Sequence, residues 1–335
     1  MSVLNASEYS DAIFVQYERR LLTRALPRLI HNRFGAQARV NRGLGSLQFR
    51  KYAGLSAISS ALSSGVTPVE NIAPALSSVS VTPLWYGAWL GYTDKIDMIG
   101  FDPIVLEASG ILGEQAGLSI DTLTRDVLVA GATDDFANGA ASRALLDSGD
   151  KIGYVDFLIQ IAELEAANAR PLANGRYAVI LHPYSWATLM QDPTFVTLFT
   201  REAGGASNPL RSGIVGTILN CDVYVSSNAA SYTSAGVGSA FTAYSALFIG
   251  AEAYGSYGIA DLTPNVNVDG GGVEVKNMTG QSVKPVSIIV KELGSAGTSD
   301  PLNQRGTIAW KLTHIAAILN SAWIRDLEHL NDFSA

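Results

Sequence analysis

The 335-residue sequence predicts an α+β fold, and three observations carry that prediction. Residues 102–131 hold a long run of apolar positions at helical spacing. Residues 151–284 alternate short helical and strand-like segments. A terminal run from 306 to 327 opens with strict strand alternation at Ile308, Trp310 and Leu312. One segment fits neither element type. Residues 54–78 carry a single charged side chain, Glu70, among Ser, Ala, Gly and Pro, with strand-like runs at 47–52 and 79–92 on either side. A compact domain rarely holds so long an unstructured connection. Disorder comes with high charge and few apolar residues, and this segment has neither. The expected form is a hairpin arm that leaves its own domain and lies on another molecule.

The elements follow in chain order. Residues 9–26 place Ile13, Tyr17, Leu21 and Ala25 on one helical stripe that Pro27 stops. A short terminal helix cannot bury such a stripe alone, so it is expected to pack on the body or on a partner. After the 47–92 hairpin, Asp102 is a good N-cap and Pro103 suits the first helical position. Ile104, Ala108, Ile111, Leu112, Gln115, Leu118, Leu123 and Val127 continue the stripe to about residue 130. Such a helix would be roughly 40 Å long at 1.5 Å per residue. Gly110, Gly113 and Gly117 share one face of it, each costing about 1 kcal/mol relative to Ala. They predict close approach of another backbone, with a glycine-broken pair of helices as the alternative.

Residues 154–169 read as an amphipathic helix with Val155, Leu158, Ile159 and Ala162 on its apolar side. Residues 176–181 read as a buried strand, 183–190 as a short helix, and 213–226 and 241–251 as strands. Strands return at 273–276 and 285–293, after Gly270-Gly271-Gly272. No internal repeat of fixed period is present.

Composition points to assembly. Charged residues make up 16% of the chain, against about 25% in an ordinary soluble domain. Mean hydropathy is +0.19, yet no apolar run approaches the ~18 residues that span a bilayer. The N-terminus is expected to lack a secretion signal. A chain with too little charge for its exposed surface is expected to turn much of that surface toward other subunits. Residues 1–51 carry a net charge of +6 and the remainder −13, within a total of −7. A basic arm on an acidic body either binds nucleic acid or docks on a neighbour's acidic face. Its lack of Lys-rich, aromatic-interleaved character favours docking. The single cysteine, Cys221, reads as a structural thiol in a half-buried strand, which suits cytoplasmic synthesis.

No catalytic, cofactor-binding or metal-binding residue is expected, and the chain is not expected to be an enzyme. His31, His182, His314 and His329 show no ligand spacing, and His182-Pro183 reads as the end of a strand. Asp121, Asp126, Asp134 and Asp135 form an acidic stretch that reads as a solvated helix end and loop, with a cation site as the lesser alternative. Gly43-Leu44-Gly45 leads into a strand and fails the dinucleotide pattern. Neither a Walker sequence nor a nucleophile elbow occurs.

Four motifs in order carry a resemblance. They are Tyr17-Glu18-Arg19-Arg20-Leu21-Leu22; Leu112-Gly113-Glu114-Gln115-Ala116-Gly117; Thr124-Arg125-Asp126-Val127-Leu128; and the block from Asp300-Pro301-Leu302-Asn303-Gln304-Arg305-Gly306-Thr307 through Trp310-Lys311 to Ile318-Leu319-Asn320. Together they resemble the major capsid proteins of tailed bacteriophages, the Hong Kong-type shell fold. The resemblance implies an N-terminal arm at 1–45 and an extended β-hairpin loop at 46–93. It implies a peripheral domain from 94–150 and 285–335, containing a spine helix at 102–131 and a β-sheet, and an α+β axial domain at 151–284. It further implies self-assembly into an icosahedral virion shell of pentamers and hexamers, formed in the host bacterial cytoplasm around double-stranded DNA. Portal, scaffolding and decoration proteins are the implied partners, with no membrane. The cross-link chemistry of some relatives is not carried over, because nothing marks a partner for Lys51. The rival readings are a cellular nanocompartment shell of the same fold and a soluble enzyme with an unrecognised site.

Overall fold

The computed structural model describes residues 29–37, 46–52, 61, 64–65, 76–99, 104–195, 217–235, 237, 241–257, 286–295, 299–331 and 333. The helix expected at 9–26, most of 54–78, the Asp102-Pro103 cap and the strand expected at 273–276 lie outside them.

In chain order the strands are β1 (Ala36–Gln37), β2 (Leu47–Tyr52), β3 (Leu76–Val81) and β4 (Leu84–Thr93). Two helices follow, α1 (Asp94–Ile99) and α2 (Ile104–Gly131), then β5 (Thr133–Phe136), α3 (Tyr154–Ala166), β6 (Tyr177–Leu181) and α4 (Pro183–Leu189). Next come β7 (Thr217–Ile218), β8 (Cys221–Val225), β9 (Ser231–Ala235), β10 (Phe241–Ile249) and β11 (Tyr254–Tyr257). The chain closes with β12 (Val286–Lys291), β13 (Arg305–Ile318) and β14 (Ile324–His329).

β13 organises the first sheet. Its residues Arg305 to His314 pair antiparallel with β4, Thr307 to Leu312 pair with β12, and Ile315 to Ile318 pair with β11. The predicted alternation holds, with Ile308, Trp310 and Leu312 buried beneath α2. α2 is one continuous helix, about 42 Å long for its 28 residues. The glycine-broken alternative is therefore set aside. Gly110, Gly113 and Gly117 are buried on the same side as Leu112, Ala116 and Ile120. Ile111 and Leu118, expected in the inward stripe, face outward instead.

The second sheet runs β5-β14-β10-β6-β8-β7, with β9 also on β10. Every residue of β6 is buried, and its parallel neighbour β8 explains its unbroken apolar sequence. α3 packs on this sheet through Phe157, Ile161 and Leu164, and the rings of Phe157 and Phe248 meet at 4.9 Å. Val155, Leu158, Ile159 and Ala162 point outward. The expected apolar side of this helix is thus its exposed side, a correction with functional weight. The last turns of α2 also reach this sheet, where Leu128 packs with Ile180, Leu247 and Ile324.

Two expected strands are divided. The run at 79–92 breaks at Thr82-Pro83, where Pro83 offers no N–H, and its halves join different sheets through β3 and β4. The run at 213–226 turns at Leu219-Asn220, both with positive φ (44° and 66°), as the tight β7–β8 hairpin requires. β5 and β14, which the resemblance places in the peripheral domain, pair into the sheet of the 151–284 module.

The segment before β1 is pinned to α2. Asp121 Oδ1 accepts from the backbone N–H groups of Ile30 and His31 at 2.8 and 2.7 Å, and its Oδ2 accepts from His31 Nδ1 and Asn228 Nδ2, both at 2.8 Å. Tyr254 donates its hydroxyl to the His31 carbonyl. Asp121 is fully buried, so the solvated reading of this residue is corrected. Burial would raise its carboxyl pKa, but the hydrogen bonds and charge of His31, with the Asn228 bond, outweigh burial and hold it below the ordinary carboxylate range. Its stabilisation is complete above the unfolded carboxyl value near pH 4 and is lost as pH falls through the lower folded value. We predict that Asp121→Ala costs about 3 kcal/mol in urea unfolding at neutral pH, and that this deficit shrinks below about pH 4. A deficit under about 0.5 kcal/mol at neutral pH contradicts the anchoring role.

Candidate assembly surfaces

The ionisable groups that a sequence reader inspects for chemistry are absorbed by the fold. His182 caps α4, its Nδ1 accepting from the Tyr184 N–H at 3.2 Å, and burial lowers its pKa. His329 is fully buried, and burial pushes its pKa down to about 4. His314 lies 3.2 Å from Thr124 Oγ1. Cys221 is buried in β8, and desolvation lifts its thiol to about 12, far from a nucleophile's range.

The acidic stretch disperses rather than forming one group. Asp121 holds His31, Asp126 lies exposed beside Arg125 (2.7 Å), and Asp135 pairs with Arg325 (2.6 Å). Only Asp134 joins other carboxylates, Asp326 and Glu328. The two residues of β14 escaped the sequence reading. Their signal was an acidic pair spaced two apart on a strand, hidden in a run read mainly for its apolar positions.

Exposed apolar surface is the dominant feature of the described residues, and it falls into four groups. On β4 the odd positions face away from α2, so Trp85 and Trp89 are 68% and 71% exposed. They form an aromatic shelf with Ile289 of β12 and Ala309 of β13, and Lys311 Nζ sits 4.6 Å from the Trp85 ring centroid. A shallow cleft of about 280 Å³ runs across this shelf. Gly87 is required at its floor, because a Cβ there would lie 2.7 Å from the Trp310 carbonyl oxygen.

α3 carries a second stripe of Val155, Leu158, Ile159 and Ala162. Met98 of α1 and Ile111 and Leu118 of α2 add further outward apolar groups. The fourth feature is the β2–β3 ribbon. It is a separate two-stranded sheet whose base packs Leu47, Phe49 and Val81 on Ile315, and a side chain at Gly255 would collide with the Phe49 ring. Beyond that base Leu76 and Val79 are exposed, and neither strand has a second partner strand among the described residues. A two-stranded ribbon is marginal in water and presents unpaired backbone groups on both sides. Isolated exposed apolar residues are normal, but a shelf, a helix stripe and an open ribbon on one chain mark contact surfaces. No described helix is long and apolar enough to cross a membrane.

Comparison with known proteins agrees with this picture. A family model described as phage capsid protein matches residues 77–325. No curated protein matches the chain. The fold is similar to that of the capsid of cyanophage Pam1 (TM-score 0.65, 12% identity, covering 92% of this chain and 93% of that one). It is also similar to the capsid of cyanophage P-SCSP1u (TM-score 0.62, 13% identity, 91% and 89% covered). The capsid of Ralstonia phage GP4 is a further neighbour (TM-score 0.59, 14% identity, 86% and 84% covered).

The α3 stripe gives a direct test. Because Val155 and Leu158 lie outside the core, the double substitution Val155→Glu, Leu158→Glu should leave the subunit folded, with a stability change within about 1 kcal/mol. It should abolish self-association measured by sedimentation velocity. Wild-type levels of assembly in this variant would remove the stripe from the contact surface.

Proposed function

We propose, from the premise that the chain belongs to the phage capsid protein family, that its copies are the major subunits of an icosahedral shell enclosing double-stranded DNA. The observation that carries this reading is the open β2–β3 ribbon, which has no partner strand among the described residues. Sister copies supply what the ribbon and the apolar faces lack. In this scheme residues 1–45 form an arm, 46–93 the extended loop, and 94–150 with 285–335 the peripheral domain. Residues 151–284 form the axial domain, whose tips meet in pentamers and hexamers. The two sheets follow this division only in part, since β5 and β14, outside 151–284, join the axial sheet, and β11, inside it, pairs with β13.

A subunit that contacts several neighbours buries more than the ~800 Å² per partner of one ordinary interface. Each contact must stay weak on its own, so that a misplaced subunit leaves before the shell closes. The body's net charge of −13 beyond residue 51 suits loose enclosure of DNA, because an acidic wall displaces few counterions. Portal and scaffolding proteins are the heterologous partners of this scheme, and assembly takes place in the host bacterial cytoplasm.

Expression of the full chain by itself, followed by negative-stain microscopy and light scattering, tests the proposal. Closed shells or ring-shaped capsomers are expected. A monodisperse monomer at high concentration would contradict it, and shells that co-purify with a cargo protein and no DNA in infected cells would replace it with a nanocompartment.

A further inference from the structure

β5 and β14 run parallel with Asp134 opposite Asp326, and Glu328 lies two residues along β14 on the same face. Carboxylate oxygens of the three residues lie within 4.8 Å of one another. Asp326 and Glu328 are fully buried, whereas Asp134 stands at the exposed rim. Arg143 grips both oxygens of Glu328, Nε to Oε2 at 2.5 Å, with its guanidinium 3.5 Å above the Tyr232 ring. The other cation at the rim, Arg125, is committed to Asp126 and to Asn228. Ser245 donates to Asp326 Oδ1 at 2.5 Å, but Asp326 Oδ2 and the Tyr232 hydroxyl have no hydrogen-bond partner.

Charge counting shows what is needed. Three carboxylates against one guanidinium leave two negative charges, one on Asp134 at the exposed rim and one on the fully buried Asp326, where unpaired charge is costly. One proton removes one of them. A divalent cation removes both and occupies the free oxygen. The donors are all oxygen, which selects a hard cation. Calcium binds oxygen at about 2.3–2.6 Å and so spans ligands up to about 5 Å apart, whereas magnesium spans only about 4 Å. α2 adds to the attraction, since Val129 and Ala130 of its last turn line the same cleft and that turn holds no basic residue. The cleft, about 500 Å³, gives solvent and ions a path to Asp134.

We propose that Asp134, Asp326 and Glu328 form a calcium-binding site, with the Tyr232 hydroxyl and water from the cleft completing the shell. The ion ties β5, which follows α2 directly, to β14.

The test uses the full chain stripped with EDTA, titrated with calcium chloride in a calorimeter and melted with calcium, with magnesium and with neither. A binding heat is expected, with a Tm several degrees higher in excess calcium and a smaller shift in magnesium. Asp326→Asn should lose the heat and the shift while melting no lower than EDTA-treated wild type, because a repulsive charge has gone. Asp134→Asn, changed at an exposed position, should weaken both and decides the matter if Asp326→Asn does not fold. No heat together with equal Tm in calcium and EDTA overturns the site. So does full calcium response in both variants, or a stability that depends on pH and not on calcium.

Discussion

A 28-residue helix packs on a 14-residue strand, and most other described elements are positioned by that contact. Leu112, Ala116 and Ile120 of α2 meet Ile308, Trp310 and Leu312 of β13, so the helix cannot slide without emptying one side of a core. The same helix then reaches the second sheet through Leu128 and receives the preceding segment at Asp121. Gly110, Gly113 and Gly117 lie buried on it, each costing about 1 kcal/mol of helix propensity relative to Ala. β13 extends the arrangement outward, because β4, β12 and β11 all take their register from it.

That frame leaves apolar surface facing away from it. A self-contained soluble domain would place charge on the outer side of β4 and α3; this chain places Trp85, Trp89, Val155 and Leu158 there. In a shell subunit such surface is available for contacts between copies. Spreading those contacts over a sheet, a helix and a ribbon keeps each of them reversible, which a closed shell needs during growth.

Much of the frame was legible in sequence. The alternation of Ile308, Trp310 and Leu312, the unbroken apolar run of β6 and the long spacing of α2 each reflect burial against one neighbour, which periodicity reports. The face of α3 was not legible. Its sequence holds Phe157, Ile161 and Leu164 on one side and Val155, Leu158 and Ile159 on the other, so it carries two apolar stripes. Periodicity reveals that two exist without saying which one meets the core. The break at Pro83 was visible as a residue, but the change of sheet it permits depends on partners more than 200 positions away. The carboxylate cluster was hidden for the same reason, since Asp134 meets Asp326 only once β5 and β14 are in register.

In the proposed shell the ribbon formed by β2 and β3 is completed by another copy of the chain. Amide hydrogen exchange of residues 47–52 and 76–81, compared between assembled particles and released subunits, measures this directly. Rapid exchange is expected at the outward-facing edge amides of the free subunit, with strong protection in the assembly. Equal exchange in the two states would contradict it.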